Sequence, residues 1–395
     1  MRKLRTLLVL VLLIAILAGG LHFWSRWMVL HNLEQARDAF ARQDLKHAIA
    51  TATTATQWSS NRTEQDEGRL ILARSLITQR QLHPEIPQKI SSASDPLVIL
   101  ERVQSRRFFP SARYSIADYL FFQSHRYIEG ETAMQEGLLV DPANVDLLIL
   151  RLQVYSLSGR KLEACEQIPV AQLETKSVAA RRRYVRNLTQ LAFFPDDFLL
   201  PLDRRLGLLA PEETTNPNTE MDRWFMLADG RHPAGQAAIS QRYLDQGLRE
   251  LAQEAIQAGL IESRKHPTGL FLEQWARLSQ VHGTVDRVLL ELLEKKATLG
   301  RQTHAKIYLE QADWEQCLNV WPLSIQEEAL QRIIVHSPTE GKAAIDRLAS
   351  WTNQESELRL VLLQSADETL DQRSWALVQK CWRAFGREDI ANLVD

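Results

Sequence analysis

SARYSIADYLFFQSHRYIEGETAMQEGLLVDPAN, residues 111–144, runs straight into VDLLILRLQVYSLSGRKLEACEQIPVAQLETKSV, residues 145–178. Both stretches are 34 residues long, and small or apolar residues fall at the same offsets in each. Gly130, Met134 and Gly137 in the first correspond to Ala164, Ile168 and Ala171 in the second. Positions i, i+4 and i+7 share one face of an α-helix, so small residues there let a neighbouring helix approach closely. Phe121 and Tyr155 both occupy the eleventh position. Val140-Asp141-Pro142-Ala143-Asn144 closes the first stretch. Its proline lacks an N–H and clashes with the preceding turn, which stops a helix.

This spacing resembles the tetratricopeptide repeat, a helix–turn–helix unit of 34 residues. The resemblance implies an all-α fold, a right-handed helical-repeat solenoid in which each unit buries its face against its neighbours. The second copy departs from the pattern. Lys176 stands where the family has proline, and Pro169 falls inside the second helix. Looser copies lie elsewhere. Gln43 to Ile49 in sequence (QDLKHAI) resembles the turn and the opening of the second helix, and Ala48, Ala52 and Ala55 continue the stripe. Tyr243, Gly247, Ala252, Ile256 and Gly259 match the aromatic, the turn and the stripe, and Tyr308, Asp313, Trp314, Cys317 and Trp321 form a further echo. The competing arrangement of the same helices is a bundle without repeat relationship. A solenoid needs about three stacked units, and the chain has room for more.

The register holds from 111 to 178 and then breaks, with the next clean unit starting near His232. Residues 211–218 are polar, carry two prolines and show no apolar period, which reads as a linker. The expected division is therefore a cytoplasmic tip and anchor over 1–28, one helical array over 29–210, a linker over 211–220 and a second array over 221–395. Residues 81–96 hold three prolines and a Ser-Ser-Ala-Ser run, and are expected to form a long inter-helix loop. Alternating runs of β-branched residues between turn signals are scarce, so the rest should be nearly all helical.

The amino terminus sets the compartment. Met1-Arg2-Lys3-Leu4-Arg5 precedes an uncharged apolar run over 6–21 that extends through Phe23 and Trp24. That is close to the roughly 20 residues a helix needs to cross a bilayer. Three cationic residues lie before the run, and Arg26 is the only Lys or Arg after it until Arg37. The positive-inside bias keeps the tip in the cytoplasm and exports the rest, with Trp24 and Trp27 placed for an interfacial belt. In a Gram-negative bacterium this is a single-pass inner-membrane protein with its bulk in the periplasm. A eukaryotic organelle anchor is the alternative host setting, and the sequons at Asn61 and Asn187 are too common to decide. A cleaved signal peptide, cut near Ala18-Gly19-Gly20, is the alternative to an anchor, but the apolar run is long for one.

Composition excludes several classes. A net charge of −2 gives no general pull toward nucleic acid, and none is expected as a partner. Cys165, Cys317 and Cys381 are far apart with no C-x-x-C, so neither a zinc pair nor a redox pair is expected. The ten histidines form no H-E-x-x-H and no i, i+4 pair, and His47, His125, His282 and His304 fall near turns or helix ends. No phosphate loop and no nucleophile elbow is present. Catalytic residues, metals and cofactors are therefore not expected.

In this family the first helices of successive units line a concave groove. Carried across, the groove positions are Ser115, Tyr119 and Phe122, then Asp146, Ile149, Gln153 and Ser156. The Lys, Arg and Asn residues that clamp a peptide carboxylate in part of the family are missing from them, so an amphipathic helix or extended peptide suits the surface better. Arg181, Arg182, Arg183 and Arg186 form a basic patch that reads either as an anion or headgroup site or as a solvated helix face. Seven tryptophans lie beyond residue 220; Trp314 and Trp321 occupy packing offsets and are expected in the core, while for Trp351 and Trp375 core and interface both stay open. The resulting expectation is a non-enzymatic, membrane-tethered scaffold that binds protein in its groove. Its alternative is an accessory subunit or all-helical enzyme acting on envelope polymers.

Overall fold

The computed structural model describes residues 2–83, 95–157, 168–207, 233–263, 278, 358–359, 362, 370–384 and 387–395; the side chains of 2–18, 193, 195–196, 234 and 261–263 are outside that description. Every regular element among the described residues is a helix. The chain divides into two compact units, one of Met1–Tyr119 with Thr132–Asp141, the other of Leu120–Glu131 with Pro142–Asp395.

The first unit opens on α1 (Arg2–Ala41), an unbroken helix of 40 residues and about 60 Å at the standard rise. α2 (Leu45–Trp58) folds back along it, capped by the Asp44 carboxylate, which accepts the His47 N–H at 3.2 Å. Val29 and Leu33 of α1 meet Ala55 of α2, and Ala36 meets Ala52, so the two helices run antiparallel. Ala48, Ala52 and Ala55 are all fully buried, as the small stripe requires. α3 (Arg62–Leu82) packs on both, adding Ile71 to the Ala36–Ala52 cluster. After α3, residues 84–94 lie outside the described set, so the expected loop over 81–96 is seen only at its ends. The Asp95 carboxylate caps α4 (Pro96–Glu101), accepting the Leu97 N–H at 3.1 Å. α5 (Phe109–Phe122) and α6 (Tyr127–Val140) complete the unit with their outer portions. Arg74 of α3 donates to the Ser115 hydroxyl at 2.9 Å and to the Ser111 carbonyl at 3.3 Å.

Gly68 marks the closest approach of α3 to α2. A β-carbon there would lie 2.5 Å from the Thr56 hydroxyl and 3.3 Å from the Ala52 carbonyl oxygen. That hydroxyl donates to the same carbonyl at 2.8 Å, so it cannot turn away freely. Alanine gains about 1 kcal/mol of helix propensity over glycine, and overpacking costs about 1–3 kcal/mol. Gly68→Ala is therefore expected to lower the urea midpoint, and adding Thr56→Ala is expected to restore most of the loss.

The second unit centres on α7 (Val145–Leu157), whose Leu147, Leu148, Leu150 and Leu152 are fully buried. α9 (Val178–Phe193) and α10 (Pro195–Arg205) pack on it. α11 (Pro233–Asp245) and α12 (Arg249–Ser263) form a hairpin, and α13 (Gln372–Ala384) and α14 (Glu388–Asn392) another pair. Between α7 and α9, residues 158–167 lie outside the described set, and the described part of the expected second helix of the 145–178 copy holds the four-residue α8 (Val170–Leu173). Pro169 stands immediately before it, without an N–H to continue a helix and with a ring that pushes Ile168 away from helical geometry.

Three hairpins share one turn. Gln43, His125 and Gly247 have φ of 62°, 52° and 76°, the left-handed region, and each lies two residues before the next helix. The residues 5, 9 and 12 positions further on are Ala48, Ala52, Ala55; Gly130, Met134, Gly137; and Ala252, Ile256, Gly259, and all are buried. Gly130 lies directly under the Phe121 ring, where a β-carbon would come within 3.1–3.2 Å of three ring carbons. The helix boundaries follow the sequence reading: α6 stops at Val140, and α7 starts at Val145 with Asn144 accepting the Leu147 N–H at 3.2 Å. The echo around Tyr308–Trp321 in sequence and the 211–220 linker lie outside the described residues.

Among the residues described with their side chains, no helix is long and apolar enough to cross a membrane. Of the run read as an anchor over 6–24, the side chains of 6–18 fall outside that set. From Leu21 onward α1 exposes large apolar groups: Leu21, Phe23, Trp24, Trp27 and Leu30 are 49–74% accessible.

Candidate functional site

The seven groove positions are not equally exposed. Ser115 lies 7% accessible in the first unit, its hydroxyl held by Arg74 and donating to the Ser111 carbonyl at 3.1 Å. Tyr119, on the same helix, is partly exposed. In the second unit Phe122, Ile149 and Ser156 are 6%, 8% and 8% accessible. The Arg205 guanidinium lies 3.7 Å from the centre of the Phe122 ring, a cation–π contact that covers it. Asp146 and Gln153 of α7 keep accessible surface. Of the seven, Tyr119 in the first unit and Asp146 and Gln153 in the second keep accessible surface.

Asp146 joins the groove positions to the basic patch. Its carboxylate pairs with the Arg183 guanidinium at 2.8 Å, both half exposed. The neighbouring arginines turn elsewhere. Arg182 donates from Nε to the Val394 carbonyl at 3.0 Å and stacks its guanidinium 5.3 Å above the Trp375 ring. Arg181 donates to the backbone oxygen of Asp395 at 2.9 Å. Arg186 is engaged within the chain as well. The patch thus holds the carboxyl-terminal segment and α7. Polar side chains that hold backbone oxygens in this way contribute about 1.5–3 kcal/mol each when charged.

The carboxyl-terminal segment is seated by more than charge. Trp382 is 4% accessible, and its indole N–H donates to the Thr189 hydroxyl of α9 at 3.0 Å. Trp375, Val378 and Cys381 line the same buried face of α13. Trp375, for which the sequence leaves core and interface both open, is 5% accessible. Cys381 is fully buried, as a small hydrophobe would be. Cys165, Cys317, His282, His304, Trp314, Trp321 and Trp351 lie outside the described residues.

No protein-family model matches the chain, and no curated protein matches it. The site must be judged on its own geometry. Among the described residues no group of three or more His, Cys, Asp or Glu could hold a metal ion. His47 sits in the first turn of α2. His125 occupies the left-handed turn position with its ring Nδ1 3.2 Å from the Tyr127 hydroxyl.

One buried ionic centre was not signalled by the sequence. Asp66 of α3 is fully buried, yet its carboxylate accepts the backbone N–H groups of Gln104 at 3.0 Å and Ser105 at 2.7 Å, and the Arg69 guanidinium at 2.7 Å. Burial alone would raise its pKa; the two backbone donors, then Arg69, together outweigh it and hold the carboxyl below its ordinary value. The geometry is structural: Asp66 fastens the turn before α5 to α3. Glu131 and Asp203 are also buried, at 1% and 3% accessible, and both have partners.

Proposed function

We propose that this protein is a membrane-tethered, non-enzymatic scaffold built on tetratricopeptide-like helical repeats in a right-handed solenoid, and that it holds a protein partner and supports assembly of an envelope complex. The observation that carries the reading is the threefold recurrence of one helix–turn–helix, with a left-handed residue followed 5, 9 and 12 positions later by buried small or apolar residues. Such units bury their faces on one another and leave an extended surface for recognition. The tether is supported by the uncharged run over 6–21, the cationic residues before it and the unbroken α1 that carries it into the first hairpin. That orientation puts the bulk of the chain outside the cytoplasm, attached to a bacterial inner membrane.

Partner contact falls, within the first unit, to the accessible Tyr119 and, within the second, to Asp146 and Gln153. Tyrosine is enriched where interfaces concentrate their binding energy. The full-length chain is crosslinked in its native membrane and recovered with its partners, beside single Tyr119→Ala and Gln153→Ala variants. A protein recovered with the native chain and reduced about tenfold or more by Tyr119→Ala, a loss of about 1.4 kcal/mol or more, supports the reading. A native chain that recovers no protein, or a purified chain that turns over an envelope polymer, overturns it.

A further inference from the structure

The exposed aromatics of the first hairpin are not scattered. At 100° per residue, Phe23, Trp24, Trp27 and Leu30 fall on one side of α1, opposite Val29, Leu33 and Ala36, which face α2. All four are about half exposed or more, at 74%, 51%, 52% and 49%. The stripe ends abruptly: Glu34, Arg37 and Asp38 follow on the exposed surface of the helix. Trp27 stacks on His31, with ring centres 5.1 Å apart and planes 6° from parallel, at the polar margin of the stripe.

A third tryptophan shares that level. α2 runs antiparallel to α1, and its Ala55 packs between Val29 and Leu33. Trp58 lies three residues beyond Ala55, at the end of the hairpin nearer the apolar run, and is 57% exposed. At 1.5 Å per residue it stands at about the height of Trp27. The 16 residues of the uncharged run over 6–21, with Phe23 and Trp24 beyond it, span about 28 Å. A bilayer's hydrocarbon is about 30 Å thick. Its outer boundary therefore meets the chain at Trp24 and Trp27, and the end of α2 arrives at the same plane. Tryptophan prefers that plane, where an apolar ring and a polar N–H are both accommodated.

We infer that Trp24, Trp27 and Trp58 form one footing in the headgroup layer, so that the first hairpin stands on the lipid surface by both of its helices. This rests on the tether proposed above. The occupant of the exposed aromatic face is lipid, because the face continues the apolar run on the same helix without a break.

The test uses the full chain in phosphatidylcholine vesicles, with a photo-crosslinking benzoylphenylalanine placed in turn at Trp27, at Trp58 and at Gln43, all exposed positions whose replacement leaves the core intact. Gln43 sits at the far end of the hairpin, about 24 Å above Trp27 along α1, beyond a headgroup layer of about 6 Å. Lipid adducts at 27 and 58 with none at 43 are expected. Adduct at 27 without adduct at 58 overturns the footing and leaves the tether standing. Adduct at neither overturns the tether, and equal adduct at 43 and 58 overturns the footing by showing undirected surface contact.

Discussion

Asp66→Ala is expected to destabilise the region from α3 to α5 by about 3–5 kcal/mol, the cost of removing one member of a buried, hydrogen-bonded charge pair. Three donors lose their acceptor at once: the N–H groups of Gln104 and Ser105 and the Arg69 guanidinium. Hydrogen exchange read at Gln104 and Ser105 should show the loss first, before any change in the second unit. Asp66→Asn is expected to be nearly as severe, because an amide places a donor where two oxygens now accept. The pH dependence has a definite sign. The folded carboxyl titrates below its ordinary value of 3.8. Its contribution is therefore fully present above that value and is lost as pH falls through it toward the lower folded value. An acid-unfolding limb in this range that is unchanged in Asp66→Asn would contradict the assignment.

Trp382→Ala is the second large effect. Truncating a buried tryptophan costs about 3–5 kcal/mol, and this one is 4% accessible with its N–H on Thr189 of α9. Release of residues 370–395 should appear as protease cleavage within α13 while α7 and α9 stay protected. Trp382→Phe separates the two contributions. It keeps most of the packing and removes the N–H to Thr189, whose hydroxyl still donates to the Val185 carbonyl at 2.6 Å. A loss of about 1 kcal/mol is expected, the net worth of one neutral hydrogen bond. Equal effects of the two variants would show that the hydrogen bond, not the ring, seats the segment.

The local parts of this fold were legible because they depend on local chemistry. Helical content, the stop at Val140, the turn at Gly247 and the buried stripes all follow from spacing, from proline's fixed backbone and from glycine's freedom at positive φ. Gln43 and His125 carry no comparable signal, since a left-handed turn usually selects glycine. The start of α8 directly after Pro169 follows from the proline itself. Long-range pairings were hidden. Nothing near Asp66 announces that residues 104–105, thirty-eight positions away, will donate to it. The docking of α13 does have a local signal: Trp375, Val378 and Trp382 fall at i, i+3 and i+7, the pattern of a helix with one buried face. For the candidate site, offsets taken from the repeat resemblance carry no information on accessibility. Phe122, Ile149 and Ser156 are covered, because accessibility depends on what other parts of the chain lay over them, as Arg205 does over Phe122.

The length of α1 makes it a drive shaft. With no proline and no break between Arg2 and Ala41, the azimuth of its first turn is locked to that of the hairpin. Inserting one residue between Leu21 and Met28 would swing everything before it by about 100° about the helix axis and shift it by about 1.5 Å. Eighteen inserted residues, five full turns, would restore the angle at a separation of about 27 Å. At Gly19-Gly20 two side chains are missing in succession and nothing packs within 4 Å, which loosens the helix there. Torque applied at one end of this helix reaches the other.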